Sequence, residues 1–529
     1  MKHVAPLSLS DPRIAILLQI PSAERANALA AILDGPGGSD FRQEASRWLT
    51  QALSVERLVP QVYVEWRPIV HDAMVFFGSH LSSSRLAPKL VDQFLLPPNT
   101  PPEKRLSRLI ARVPGLQKLG QVIARNRHLH PCLRRELSQL ENGIRDVTAE
   151  EIRTIIVQTL GPKLERHAVE IENKVLAEAS VSAVVRFTWY NRERRQRERG
   201  VFKVIKPYIP TCFAEDMELL GGLADHLGSR HAEYGFAEHV LPETFNDVRR
   251  LLQHEVKFVV EQANLAKALR DYSGLKWIRV PRLIRPLCTS TITAMTEEHG
   301  EKITKVAAMP ISRRERIAEQ LIDALIAVPL LTPATRGTFH ADPHAGNLLF
   351  NKRTGMLTLL DWALTGHVTE QQRRQAALLF LMIALRDSEA VCKLMEALSL
   401  GGKKRRVRQT RVIREQVTRF FDALPLSRLP RPVDIINLLE RTGWEGVRFP
   451  SHLVLLRKVM FTLDGILHEI AGPSGNMELV MVQRLLQNWL KNPGEMGWPL
   501  SLRDWVAVYW SAVLYPSKLA IGAVQQLIA

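Results

Sequence analysis

The chain has 529 residues, 46% of them hydrophobic and 24% charged, with a formal net charge of +17. That length exceeds what one small core organises, so two or more lobes are expected, and the composition excludes a wholly disordered chain. The positive excess points to anionic partners: nucleotide phosphates, nucleic acid or an anionic membrane surface. The four cysteines, Cys132, Cys212, Cys288 and Cys392, lie far apart and form no C-x-x-C. This argues against a disulfide framework or zinc site and predicts a reducing cytosol. The apolar run at the N-terminus is weak for a signal peptide and too short to span a bilayer.

Residues 1–105 form the first predicted region. "AERANALAAILDG" and "DFRQEASRWLTQAL" show helical spacing, and the Pro-rich "LLPPNTPPEKR" (95–105) reads as a linker. Residues 106–170 read as a second helical segment. In it Thr148 and Glu151 make a capping-box pattern, and Gly161 stops the helix. A small lobe is predicted over 171–300. The β-branched and aromatic runs "SAVVRFTWY" and "GVFKVIK" flank "NRERRQRER" (191–199), which predicts a hairpin with a charged tip, either a phosphate or headgroup contact or a solvated hairpin end. "NDVRRLLQHEVKFVVEQANLAKALRDY" (246–272) predicts one long helix. "WIRVPRLIRPL" and "STITAMTEE" predict further strands. From about residue 311 the pattern is mostly helical, giving a large lobe over 301–490 and a hydrophobic tail over 491–529. It is interrupted by "TFHADPHAGNLLF" (338–350) and by "LFNKRTGMLTLLD" (349–361), a predicted hairpin turned at Arg353–Gly355. The order predicts an α+β, mostly helical, bilobal protein-kinase-like fold with an N-terminal helical extension.

Asp342 and Asn347 have the D-x-x-x-x-N spacing of a kinase catalytic loop. There the Asp orients or deprotonates a nucleophile, while the Asn and a later Asp hold Mg²⁺ against nucleotide phosphates. Asp361 is the later Asp, and the apolar hairpin between is expected to return it beside Asn347. Lys203, within the strand "GVFKVIKP", has the position of a phosphate-binding lysine. Glu255 and Glu261 on the following helix are its candidate partners. Lys206 competes with Lys203 but precedes Pro207 at the strand end. No G-x-G-x-x-G precedes the lysine; the Ala/Ser-rich "LAEASVSAV" (176–184) stands there instead.

These segments resemble the UbiB/AarF family of atypical kinase-like ATPases. "QKLGQVIARNRHLHP" (117–131) is similar to the family's K-x-G-Q segment, and "LAEASVSAV" to its alanine-rich loop. "VFKVIKP" is similar to its lysine strand, "HEVKFVVEQAN" to its E-L-D-x-x-x-E-A-A-N helix, and "FHADPHAGNLLF" with "LLDWA" to F-H-x-D-P-H-P-G-N and D-F-G. The similarity spans about residues 106–367. It implies that Lys118 and Gln121 restrict access to large substrates, so that protein kinase activity is not expected. It implies that Ala177 and Ala179 line the nucleotide loop, that Lys203 binds phosphate and pairs with Glu261, and that Glu255 faces the K-x-G-Q segment. Asp342 becomes the catalytic carboxylate, and Asn347 and Asp361 the metal ligands. ATP and Mg²⁺ are the implied cofactors. Support of isoprenoid-quinone or related lipid metabolism is the implied role, with an isoprenoid or other lipid as partner and no nucleic acid. Four departures stand out: Glu178 inside the alanine run, Lys257 for an Asp, Ala345 for a Pro, and Trp362–Ala363 for Phe–Gly.

Two other readings fit parts of the chain. A small-molecule phosphotransferase of the aminoglycoside or choline kinase kind also uses H-x-D-x-x-x-x-N, and D-W suits it, but it has no use for K-x-G-Q. A non-catalytic, lipid-binding pseudokinase fits Glu178 and Lys257. The basic run "GGKKRRVRQTRVIR" (401–414) is either an anionic-lipid contact or a solvated face. "DWVAVYWSAVLYPSKLAIGAVQQLIA" (504–529) is either an interfacial or kinked membrane helix or a helix packed on the large lobe. The expected location is the cytoplasmic face of a membrane, peripheral or C-terminally anchored.

Overall fold

The computed structural model describes residues 12–59, 61–124, 146–235, 240–332, 335–400, 406–425, 432–472 and 500–517, with positions 430, 480 and 483. The chain divides into two compact units. Unit 1 comprises Met1–Val260 and Leu283–Glu297, and unit 2 comprises Glu261–Arg282 and Glu298–Ala529.

Unit 1 joins a helical layer to a four-stranded antiparallel sheet. The helices Gly38–Leu53, Arg67–His80 and Ser83–Leu95 bury Leu49, Leu53, Phe77, Leu86 and Leu90, each at helical spacing on one face. The helix Ile209–Ser229 adds Leu220, Leu223 and Leu227 to the same core. The helix Pro114–Ala124, which carries the K-x-G-Q residues, opens with proline at its first position, where no N–H is needed. Gly115 N donates to Asp216 Oδ2 at 2.9 Å, and Arg85 binds the other oxygen at 2.6 Å. Burial pushes the Asp216 carboxyl up against the pull of Arg85.

The sheet order is β1 (Glu170–Glu178), β2 (Ser182–Asn191), β3 (Gln196–Ile205), β5 (Ile292–Thr296). Period-two alternation sends Ala183, Val185, Phe187 and Trp189 of β2 and Phe202 and Val204 of β3 to one face. Ile152, Ile156 and Leu160 of the helix Ala149–Leu160 cover that face. The Thr148–Glu151 capping box is formed at this helix's start, and Gly161 with φ +43° ends it. The β2–β3 hairpin turns over 192–195, and its exposed Arg194 and Arg197 pair with Glu198 and Glu170.

The long helix expected over 246–272 is two helices, Val240–Glu255 and Phe258–Asp271. The break falls at Val256–Lys257, and Phe258 is wholly buried at the restart. Glu255 and Glu261 therefore lie on separate helices, and Lys257 is exposed at the interruption between them. The division into units also differs from a cut near residue 300. Glu261–Arg282 falls in unit 2, where β4 (Ile278–Arg279) pairs with β9 (Met356–Leu359), while β5, paired with β3, keeps Leu283–Glu297 in unit 1.

In unit 2 a small sheet of order β4 (Ile278–Arg279), β9 (Met356–Leu359), β8 (Leu348–Asn351), β6 (Glu301–Lys302) stands beside a ribbon of β7 (Arg336–His340) and β10 (Thr365–Thr369). Helices surround both. The helix Ser451–Ala471 packs against the helix Ile311–Ile322, the 3₁₀ turn Ile303–Ala308 and β10. The β8–β9 hairpin turns over 352–355, with Gly355 at φ +71° supplying the left-handed residue. The helix Leu502–Val513 docks on the helix Glu370–Ala384. Asp504 receives Arg374 Nε at 2.6 Å, and Ser511 donates to Asp387 at 2.6 Å. Among the described residues, no helix is long and apolar enough to cross a membrane. Residues 125–145, 401–405 and 518–529 lie outside the described set. They include His130, part of the K-x-G-Q segment, the start of the basic run and the end of the tail.

Candidate functional site

In unit 1 the sheet sorts the candidate nucleotide-loop residues by face. Ala177 pairs with Val184, Val184 with Lys203, and Lys203 with Thr293. Directly opposed residues project to the same side, so Ala177 and Lys203 share a face. Lys203 is buried, and its ammonium lies 5.6 Å from the Phe258 ring centroid. The next row, Glu178–Ala183–Val204–Ile292, projects to the opposite, core-facing side. Glu178 is thus turned away from Lys203. Its Oε2 meets Lys206 at 3.1 Å and accepts from Asp146 N at 3.2 Å. Lys206 is fully buried and also binds Asp146 Oδ1 at 2.7 Å, while Tyr208 donates to Asp146 Oδ2 at 2.8 Å. The carboxylate in the alanine run is therefore a buried ion-pair partner of Lys206. Lys206 is tied up in that cluster, just past the end of β3. Ala179 follows in a tight turn, its N–H donating to Ser182 O at 2.7 Å.

Lys118 forms an ion pair with Glu255 Oε1, and Ser180 donates to Glu255 Oε2 at 2.5 Å. The carboxylate of Glu255 therefore bridges the helix Pro114–Ala124 to the turn that ends the alanine-rich loop. Lys118 is buried in this contact, whereas Lys257 is exposed. Gln121 lies on the same helix as Lys118, with its side chain outside the described residues. Lys203 belongs to unit 1 and Glu261, which is buried, to unit 2.

In unit 2 the catalytic-loop candidates come together through backbone bonds. The Asp342 carbonyl accepts from Asn347 Nδ2 at 3.1 Å and from His344 N at 2.9 Å. A 3₁₀ turn, Ala345–Asn347, leads straight into β8. Leu348 pairs with Leu359, and Leu360 N donates to Asn347 O at 2.8 Å, so the hairpin returns Asp361 beside Asn347. Asp361 has φ +51°, a left-handed conformation uncommon outside glycine, held by Ala363 N donating to Asp361 Oδ1 at 3.2 Å. His340 fixes the other end of the loop. Its Nε2 donates to Leu360 O at 2.8 Å and its Nδ1 accepts from Asp342 N at 3.2 Å. Complete burial holds its pKa below the ordinary value, so the ring is neutral.

Several contributors carry little or no signal in the sequence. Asn264 Nδ2 donates to Trp362 O at 3.1 Å and so anchors the D-W-A segment; its only trace is its place in "VEQAN". Trp362 is buried against the rings of His340 and Tyr272, which is how the larger residue is accommodated in place of Phe. Lys458, on the helix Ser451–Ala471, binds Asp342 Oδ1 at 2.9 Å. A lone lysine on an amphipathic helix gives no warning of that contact.

Residues 139–395 match the ABC1 atypical kinase-like domain. The chain is similar to the chloroplastic protein named Activity of BC1 complex kinase 7 of Arabidopsis thaliana, 26% identical over 364 residues, covering 67% of this chain and 50% of that protein. It is similar to a probable protein kinase UbiB of Histophilus somni, 23% identical over 377 residues, covering 70% of this chain and 68% of that one. The chain thus spans half the length of the first relative and about two thirds of the second. Among solved structures, a complex of a Mycobacterium tuberculosis protein with erythromycin is similar at 14% identity with a TM-score of 0.43, covering 61% of this chain and 80% of that one. The fold is kinase-like, and the match over residues 139–395 together with these relatives makes the chain similar to divergent UbiB/ABC1 atypical kinase-like proteins.

Proposed function

We propose that this atypical kinase-like protein is a MgATP-binding ATPase that acts in isoprenoid-quinone or related lipid metabolism at a membrane surface. The nucleotide part is carried by one observation: the loop of unit 2 gathers Asp342, Asn347 and Asp361 within one turn and one hairpin. The donor set fits a hard divalent cation. Asp361 offers a carboxylate, and the amide nitrogen of Asn347 is engaged by Asp342 O, which leaves the amide oxygen as its ligand-type atom. Asn347 and Asp361 would hold Mg²⁺, which when bound neutralises phosphate charge. Asp342 orients the nucleophile, Lys203 binds phosphate, and Ala177 and Ala179 line the nucleotide. Lys118 and Gln121, with Lys118 held by Glu255, restrict access and favour hydrolysis or a small acceptor over a protein substrate.

Calorimetric titration with ATP, with Mg²⁺ or with EDTA, tests this reading. Wild type is expected to bind only with the metal, and Asp361→Asn to bind on the order of a hundredfold more weakly. Equal binding in EDTA would overturn the metal role, and no binding in either condition would overturn the ATPase reading.

The membrane part is supported by the helix Leu502–Val513. One side carries Asp504 and Ser511, bonded within unit 2, while Val506, Tyr509, Trp510, Val513 and Leu514 lie exposed at helical spacing on the other. An apolar stripe with Tyr and Trp suits the headgroup region of a bilayer. Trp510→Glu should reduce co-sedimentation with anionic liposomes, and unchanged binding would move the contact elsewhere. The lipid-metabolism part rests on the family resemblance.

A further inference from the structure

We propose that Lys458 is a positioning residue for Asp342, supplied to the catalytic loop from a helix far along the chain; the inference rests on the ATPase reading above. The contact is direct, Lys458 Nζ to Asp342 Oδ1 at 2.9 Å, and both side chains are mostly sheltered, 27% and 15% exposed. The helix cannot easily move away. Leu453, Leu456, Val459 and Leu463 bury its inner face, and it packs on β10 and on the helix Ile311–Ile322. The adjacent Arg457 turns elsewhere, reaching Glu440 at 3.5 Å. Lys458 is thus aimed at the loop by a fixed backbone.

The loop supplies the complementary half. The backbone of Asp342 is bonded at both ends, its N–H to His340 Nδ1 and its carbonyl to Asn347 Nδ2 and His344 N. Those bonds fix the main chain but leave the side-chain torsions to be set by what the carboxylate meets. An ammonium on Oδ1 restricts those torsions. A lysine is a compact point charge, so it can hold one oxygen without occupying the other, as a bidentate arginine would. A pair serving only stability has no need to end on the one carboxylate assigned to the nucleophile, and positioning within fractions of an ångström governs turnover more than binding.

The test uses the full chain with Lys458→Met, Lys458→Arg, Asp342→Asn and the Asp342→Asn/Lys458→Met double variant. MgATP turnover and the melting temperature without nucleotide are measured for each. Lys458→Met should lower kcat about tenfold to a hundredfold with KM for MgATP changed less than about threefold, because the lysine acts through Asp342 and not on the nucleotide. Lys458→Arg should recover most of kcat while keeping the charge. In the Asp342→Asn background the Met substitution should add little to either kcat or melting temperature. Wild-type kcat in Lys458→Met, no rescue by Arg, or effects that simply add would each overturn the proposal. If wild type shows no MgATP turnover, the ATPase reading fails, and the melting cycle still decides the pair: additive losses overturn the positioning of Asp342, and non-additive losses support it. A Lys458→Met protein that does not fold passes the same decision to Lys458→Gln.

Discussion

In unit 1, Lys206, Asp146 and Glu178 meet from segments far apart in the sequence and are almost wholly buried, with side chains 0%, 6% and 2% exposed. In unit 2, the loop from His340 to Asp361 is held by bonds between near neighbours, most of them involving the main chain. The first arrangement commits its charged side chains to holding segments together. The second lets the backbone carry most of the geometry of the loop. The difference teaches how charged residues in one motif set are to be weighed. Glu178 stands in the alanine run but is a buried ion-pair partner of Lys206, while Asp361 stands in a left-handed turn beside Asn347.

That contrast predicts unequal sensitivity to side-chain loss. The largest effect should come from Lys206→Met, which strands two buried carboxylates and should cost about 3–5 kcal/mol of stability. Denaturant unfolding measures it. Glu178→Ala leaves the Lys206–Asp146 bond in place and should cost less than half as much. A reversed order would show that the cluster is not organised around Lys206.

Next comes Lys118→Met. It removes the cation from Glu255, which then keeps only the Ser180 hydroxyl among these contacts, and should cost about 2 kcal/mol. Lys257→Asp should change stability little, since Lys257 is exposed and Lys118 already has Glu255. A large gain from Lys257→Asp would mean that the two lysines repel, contrary to the contact with Glu255.

The smallest effect is a pH dependence in the loop. His340 is neutral in the fold, with its pKa held below 6.5 by burial, whereas in the unfolded chain it takes a proton near that value. Its contribution is complete above pH 6.5 and is lost as pH falls from 6.5 toward the lower folded-state value. The slope is at most ~1.4 kcal/mol per pH unit. Thermal melts from pH 7.5 to 5 should show it, and His340→Gln should flatten that share. An unchanged slope in the variant would assign the acid sensitivity to other groups.

Much of this site was legible because its signals are local. The Asp342–Asn347 spacing and the apolar run to Asp361 describe one turn and one hairpin, and chain geometry alone brings their ends together. Lys203 was legible for the same reason: alternation in β3 assigns its face once the strand is recognised. The Val256–Lys257 break was missed because apolar spacing continues across it, and periodicity cannot see a helix restarting in nearly the same phase. That Glu178, a departure inside the alanine run, faces away from Lys203 was not legible, because the strand's register, and hence its face, is set by pairing with Ala183.

The sequence by itself determined the α+β order of elements, the capping box at Thr148, the hairpins and the residues of the candidate catalytic loop, since each depends on contacts within a few positions or on strand periodicity. Tertiary structure alone decided that Glu255 is shared by Lys118 and Ser180, that Lys206 is spent on Asp146 and Glu178, and that Lys458 reaches Asp342. Those pairings join segments tens to hundreds of residues apart. A charge carries no mark of its partner until packing of the apolar faces fixes which segments meet and how far both are removed from water.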